Sequence, residues 1–307
     1  MRGNNPGEAH PMQPLVECVP NVSEGRRSEV IDAIVRALQS HPGVRLLDIE
    51  SDADHNRSVF TLVSPPDAMT AAMFDLVKTA AALIDLDHHK GAHPRIGATD
   101  VVPFVPLRGM EMGQCVALAR ELGQRVGREL GIPVYLYEEA ATRPERVNLA
   151  DVRRGEYEGL KAEIATNPGS APDFGPARVG PAGATAIGAR APLIAYNVYL
   201  TTGDVEIAKK VARAIRNSSG GLRYLKALGL LVNGKAQVSM NLTDFRKTPL
   251  HRVVEMIRTE AARYGVTIES SELIGMLPQE ALLDAAVWYL QMDNYDPGMV
   301  LENRLGA

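Results

Sequence analysis

Residues 44–63 read VRLLDIESDADHNRSVFTLV, two strand-like runs in succession separated by a short polar stretch. Upstream, LVECV at 15–19 is a first strand, and Val30, Ile31, Ile34, Val35 and Leu38 recur at helical spacing. Downstream, a helix from about Asp67 carries Met69, Met73, Leu76, Val77, Ala80 and Ile84 on one face, and ATDVVPFVP at 98–106 supplies another strand. The order is therefore β-α-β-β-α-β, which mixes the two element types rather than using either alone. A further helix with Cys115, Leu118, Leu122, Val126 and Leu130, followed by VYLY at 134–137, extends the unit.

The same order begins again at residue 192. PLIAYNVYL is a strand, Ile207, Val211 and Ile215 mark a helix, ALGLLV and AQVSMNL are strands, and Leu250, Val253, Ile257 and Ala261 mark a second helix. VTIESSELIG closes the pattern before a helix rich in alanine and leucine. The doubled order predicts an α+β fold: two split-βαβ, ferredoxin-like sandwiches side by side, each an antiparallel sheet with helices on one face, and a ligand cleft between them. The expected divisions are a flexible tail at 1–13, an N-terminal unit at 14–191 and a C-terminal unit at 192–307. Residues 167–190, NPGSAPDFGPARVGPAGATAIGAR, are too long and too rich in Gly and Pro for a plain turn and read as a linker or a binding loop between the halves.

A chain of 307 residues has room for two apolar cores, and its 45% hydrophobic and 23% charged residues are those of a globular protein. Lys+Arg 33 against Asp+Glu 37 gives a net charge of −4, so no basic field is available for nucleic acid or acidic lipid, and an anionic substrate must be met by local cations. The opening segment has no apolar run of the secretory kind and no stretch approaches a membrane span. Cys18 and Cys115 belong to no CxxC pair, which fits a reduced, cytoplasmic setting.

The densest chemistry is DHHKGAHPR at 87–95. His89 and His93 are four apart, a metal-ligand spacing on a helix, but Gly91 between them and Pro94 after them argue against that helix. A solvated loop, a metal site and an acid/base role for His93 all remain open on the residues alone. The loop GPARVGPAG (175–183) has glycines that let backbone N–H groups approach a ligand, with Arg178 beside them, yet its spacing is not a dinucleotide fingerprint. No serine is flanked as GxSxG, and the serines of NSSGGL (217–222) read first as a turn.

At LVECVPNVSEG, NRSVFTLV, HPRIGATDVVPFVP, PVYLYEEAA, PDFGP, QVSMNLTDF and ALLDAA the chain resembles the formiminotransferase family, from about residue 15 to its end. The resemblance implies two α/β subdomains with folate held between them, and transfer of a formimino group from N-formiminoglutamate to N5 of tetrahydrofolate in histidine breakdown. It implies a homodimer, tetrahydrofolate as co-substrate with no metal, and a transferase module without the cyclodeaminase domain of animal members. It points to His93 of the HPR motif as the catalytic residue. It also points to Gly175, Pro176, Ala177, Arg178, Val179, Gly180, Pro181, Ala182 and Gly183 as folate contacts. Ala92 stands where the family is associated with glutamate, and Glu50 where an aspartate is often seen.

In such a transfer the attacking N5 amine becomes cationic unless its proton is removed, and His93 can take that proton and return it to the departing glutamate nitrogen. Both substrates carry glutamate carboxylates, for which Arg57, Lys90, Arg95, Arg178 and Arg190 are candidate cations, with Glu50 a candidate partner of the base. The alternatives are a reduced-folate carrier without chemistry and an enzyme acting on 5-formyltetrahydrofolate.

Overall fold

The computed structural model describes residues 13–305, so all of the expected 1–13 tail but Gln13 lies outside the described residues. The chain divides between Ala191 and Pro192 into two compact units, each with its own sheet. It is a mixed α+β protein.

In the first unit the elements run β1 (Val16–Cys18), β2 (Asn21–Val22), α1 (Ser28–Gln39), β3 (Arg45–Asp52), β4 (Arg57–Ser64), α2 (Pro66–Leu83), β5 (Thr99–Pro106), α3 (Met112–Arg125), β6 (Val134–Glu138), α4 (Leu149–Val152), α5 (Glu156–Glu163) and β7 (Thr185–Ala189). β1 and β2 are consecutive pieces of one edge-to-edge path, each antiparallel to both β4 and β5, and β3 pairs β4. The seven strands thus lie in the order β3, β4, β1/β2, β5, β7, β6, with β5, β7 and β6 parallel. α1 presents Val30, Ile34 and Leu38 to the core at four-residue intervals, and each such side chain contributes about 1.5–3 kcal/mol of burial. α2 begins with Pro66, whose missing N–H costs nothing at a helix start, and is buried on most of its surface because it packs against both α1 and α3.

Two expectations are corrected here. Residues 167–190 are no linker, because Thr185–Ala189 forms β7, a fully buried strand between β5 and β6. Its TAIGA sequence gives little apolar signal since it has to be slim: a Cβ on Gly188 would lie 2.5 Å from the Tyr137 carbonyl of the neighbouring strand. Nor are the helices of this unit confined to one face. Leu149, Val152 and Leu160 of α4 and α5 pack on Val101, Tyr135, Tyr137 and Ala186, opposite the face of α1–α3. Parallel strands need cover on both faces, which is why β5 reads as an unbroken apolar run.

The second unit runs β8 (Ile194–Leu200), α6 (Val205–Ile215), β9 (Leu225–Val232), β10 (Lys235–Leu242), α7 (Leu250–Ala262), β11 (Ile268–Ile274), α8 (Gln279–Leu290) and α9 (Leu301–Leu305). Its four strands are all antiparallel in the order β11, β8, β10, β9. Val198, Val238 and Met240 alternate toward a core filled by Val211 and Ile215 of α6 and Val253 and Ile257 of α7.

Candidate active site

In the first unit, β2, β4 and β5 bring together, near the start of β5, the turn between β3 and β4, the histidine loop and the end of the 175–183 loop. Ser23 just after β2 donates its hydroxyl to the Gly97 carbonyl at 2.7 Å, and Ser58 donates to the Glu24 carbonyl at 2.5 Å. Asn56 bridges two segments, accepting from the Gly25 N–H at 3.0 Å and donating to the Lys90 carbonyl at 3.1 Å. The Ala92 N–H reaches the Asp54 carbonyl at 3.2 Å, so the histidine loop is fastened to the β3–β4 turn through its backbone. The result is a narrow cleft lined by Ser23, His55, Asn56, Arg57, His89, His93, Arg95 and Asp100.

The three histidines of the cluster separate clearly. His88 is exposed and pairs with Asp85 at 2.9 Å; His89 sets its Nε2 3.0 Å from the Asn56 carbonyl. His93 lies on the cavity wall, with its ring centroid 6.3 Å from that of His55 and edge-on to it. Burial, then the charges of Arg57 and Arg153, and then His55 push its pKa down to about 3, so the imidazole is neutral in the free protein. Among the described residues no three His, Cys, Asp or Glu side chains converge as metal ligands.

The candidate cations separate too. Arg95 is buried and consumed internally: it grips Glu158 with Nη1 at 3.0 Å and Nη2 at 2.6 Å, meets Glu156 at 2.8 Å and places Nε 3.3 Å from Nδ1 of His89. It therefore ties the histidine loop to the start of α5 and has little left for a ligand. Arg57, half-buried on the cavity wall, makes no hydrogen bond or ion pair through its guanidinium among the described residues; the charges of Asp100, Asp52 and Glu50 act on it from a distance. Glu50, on β3 opposite Val59, thus belongs to the surroundings of Arg57. Lys90 is exposed. Arg190 is elsewhere: its N–H bonds the Phe104 carbonyl at the far end of β5, and the five-residue rise from Thr99 to Phe104 is roughly 17 Å.

The 175–183 loop is held at both ends. Gly175 packs on Gly127, and at the other end the Pro181 and Ala182 carbonyls accept from Leu86 and Ala98 at 2.8 Å each. Gly183 sits at φ +73 against the Ile96 carbonyl, bridged to Gly97, which brings this end of the loop to the segment that carries His93. Between them Ala177, Arg178 and Gly180 are exposed, Pro176 and Val179 are half-buried, and Arg178 has no ion pair among the described residues.

The sequence patterns did not reveal Asp100 and Arg153. Asp100, buried at the start of β5, accepts from the Ile96 N–H at 2.9 Å and is ion-paired with Arg153, which ends α4; Arg153 Nε and the Thr99 hydroxyl are buried with no partner. A carboxylate leading an otherwise apolar strand was the available signal for Asp100. Arg153 had none, since α4 is four residues long.

Residues 15–190 match the family model for the formiminotransferase domain, N-terminal subdomain, and residues 195–303 match that for the formiminotransferase domain. A glutamate formimidoyltransferase of Thermoplasma acidophilum is 52% identical over 95% of this chain and 97% of its own length, and one of Streptococcus pyogenes is 49% identical over 96% and 99%. The formimidoyltransferase-cyclodeaminase of Mus musculus is 45% identical over 91% of this chain, which spans 53% of that longer protein.

Proposed function

The chain belongs to the formiminotransferase family, and from that premise we propose that it moves a formimino group from N-formimino-L-glutamate to N5 of tetrahydrofolate, releasing glutamate. The observation that carries this reading is identity near one half to two curated glutamate formimidoyltransferases over almost the full length of both chains. Tetrahydrofolate is the co-substrate.

His93 is the base. It stands on a cavity wall with an uncharged ring, takes the proton from N5 as that nitrogen attacks the amidine carbon, and returns it to the departing glutamate nitrogen. Holding both substrates in one place supplies the proximity that an uncatalysed encounter lacks. The folate contacts are residues 175–183, a reading supported by the unpaired Arg178 and by the attachment of Pro181–Gly183 to the base of the histidine loop. Each unit is a variant of the split-βαβ sandwich, a reading supported by the strand order β11, β8, β10, β9 in the second unit and by the matching order β5, β1/β2, β4, β3 within the first. The working form is a homodimer, and its setting is cytoplasmic, the latter in keeping with two buried, unpaired cysteines. The step as drawn needs no metal, so dialysis against a chelator should leave turnover unchanged; loss of activity restored by zinc would replace this mechanism.

The deciding experiment mixes the protein with tetrahydrofolate and N-formiminoglutamate and follows glutamate release. Release that requires both substrates is the expected result. Binding of reduced folate without any release, or turnover of 5-formyltetrahydrofolate alone, would overturn the reading.

A further inference from the structure

We propose that Arg57 and Arg153, the latter held by Asp100, form a two-guanidinium site that takes a carboxylate of the formiminoglutamate donor beside His93. This rests on the transfer reading above and names the donor subsite within it.

Three observations converge. First, Arg57 is a half-buried cation on the cavity wall with no hydrogen bond or ion pair among the described residues. Partly buried charges are costly unless paired, and Arg95 on the same cavity shows the paired condition, with two carboxylates on its guanidinium. Second, Arg153 is only half satisfied: one end reaches Asp100 while Nε is buried with no acceptor. Third, Arg57 and Arg153 lie near enough for each to act on the other, and both act on His93. Two guanidiniums close to one another, one lining the cleft and the other paired, among the described residues, only with the Asp100 that also lines it, fit an anionic ligand, and a planar fork matched to a carboxylate is what guanidinium offers. Asp100 pairs with Arg153 and fixes it in place, leaving the Arg57 guanidinium, unpaired among the described residues, as the cation for the incoming carboxylate.

A consequence for the base follows. In the free protein, burial, Arg57, Arg153 and His55 together hold His93 far below its ordinary range, while Asp100, Asp52 and Glu50 act on Arg57. A carboxylate seated between the arginines cancels part of that positive field, so His93 becomes a stronger base when the donor is in place. Proton acceptance is thereby coupled to donor binding.

The test uses the whole protein and N-acetyl-L-glutamate, which has the donor's carboxylates but no formimino group. Arg57→Gln should weaken binding of N-acetyl-L-glutamate by about 10- to 100-fold, a range of one to two decades that matches loss of one partner of a charge pair. Arg57→Lys should recover part of the loss, and Arg153→Lys should behave like Arg57→Lys if it folds. Thermal melting checks the fold of each variant. Tetrahydrofolate and tetrahydropteroate, which lacks the glutamate tail, should bind Arg57→Gln as they bind the parent. For the parent, the acid limb of kcat should lie at higher pH than that of kcat/KM, since the first reports the complex and the second the free enzyme. N-acetyl-L-glutamate affinity unchanged in a folded Arg57→Gln protein overturns the proposal, and so does a loss confined to tetrahydrofolate, which would assign the arginines to the folate tail. If the parent binds N-acetyl-L-glutamate in an Arg57-dependent way yet never releases glutamate from the donor, the carboxylate site stands and the transfer reading falls.

Discussion

The two ends of β5 lie beside the same kind of side chain in different circumstances. At its start, Arg57 faces a cavity beside a neutral histidine with no carboxylate on its guanidinium. At its far end Arg190 is backbone-tethered to Phe104, donates to the Ala191 carbonyl at 3.1 Å, and acts on Glu17, whose carboxyl burial pushes above its usual range against the pull of that arginine. Both are half-buried arginines, and nothing in their sequence surroundings ranks them. What separates them is that the Arg190 guanidinium already donates to a main-chain carbonyl while that of Arg57 makes no hydrogen bond among the described residues, and only the Arg57 end also has a histidine.

The most severe way to break that contrast is to remove the histidine. His93→Ala deletes the proton acceptor while taking away little contact area, so transfer should fall by about 10²–10⁴-fold with tetrahydrofolate affinity largely kept. Glutamate release and folate titration on the same preparation measure both. A variant that keeps more than about a tenth of the parent rate is not missing its base, and the functional contrast between the two ends would then be lost.

How far the sequence reaches is itself uneven along this strand. Periodicity placed β5, α1, α2 and the second unit's strands because their apolar residues recur at helical or alternate spacing, and the strongly patterned α1 and α6 start and stop close to where the apolar positions do. β7 escaped because a strand slim enough to lie against Tyr137 is built from Ala and Gly, which carry no apolar period. α4 and α5 escaped because four and eight residues are too few to show one. Within the site, the family motif identified His93, but charge pairing is long-range: Arg95 meets Glu156 and Glu158 some sixty positions away, and Arg153 meets Asp100 across fifty-three. Those contacts decide which arginine is free, and they exist only in the fold.

Backbone geometry offers a smaller break at the same end. Gly183 adopts φ +73, and a Cβ there would stand 2.3 Å from the Ile96 carbonyl, so Gly183→Ala should cost about 1–3 kcal/mol or more and disturb the segment that leads from His93 into β5. Gly180→Ala, whose Cβ meets nothing within 4 Å, should be neutral to within about 0.5 kcal/mol. Denaturant melts of the two variants compare them directly. Equal stabilities would mean that the loop is not pinned at the His93 end.

Acid titration of stability sharpens the contrast further. His93 is pushed down to about 3 in the fold against about 6.5 in the unfolded chain. The unfolded state therefore binds the proton first: the contribution of this site is complete above about pH 6.5 and is lost as pH falls from there toward 3. Between pH 7 and pH 5 the loss amounts to about 1–2 kcal/mol, with some discount for solvent screening. His93→Gln has no such proton to take up, so its stability should fall less over that interval. Parallel slopes for parent and variant would place His93 in an ordinary, solvated environment.

The smallest effect belongs to the far end. Arg190→Gln removes a cation that is anchored by main-chain contacts and lies roughly 17 Å along β5 from the cavity, beyond a Debye length at physiological salt, though a path through protein is screened less than one through water. Its loss should leave kcat and the KM for both substrates within about twofold, in line with substitutions remote from the chemistry. The same substitution at Arg57 changes a charge on the cavity wall itself. Steady-state kinetics of Arg190→Gln with both substrates varied is the measurement. If its donor KM rises as far as that of Arg57→Gln, distance from His93 does not sort these arginines, and the distinction between the two ends of β5 fails.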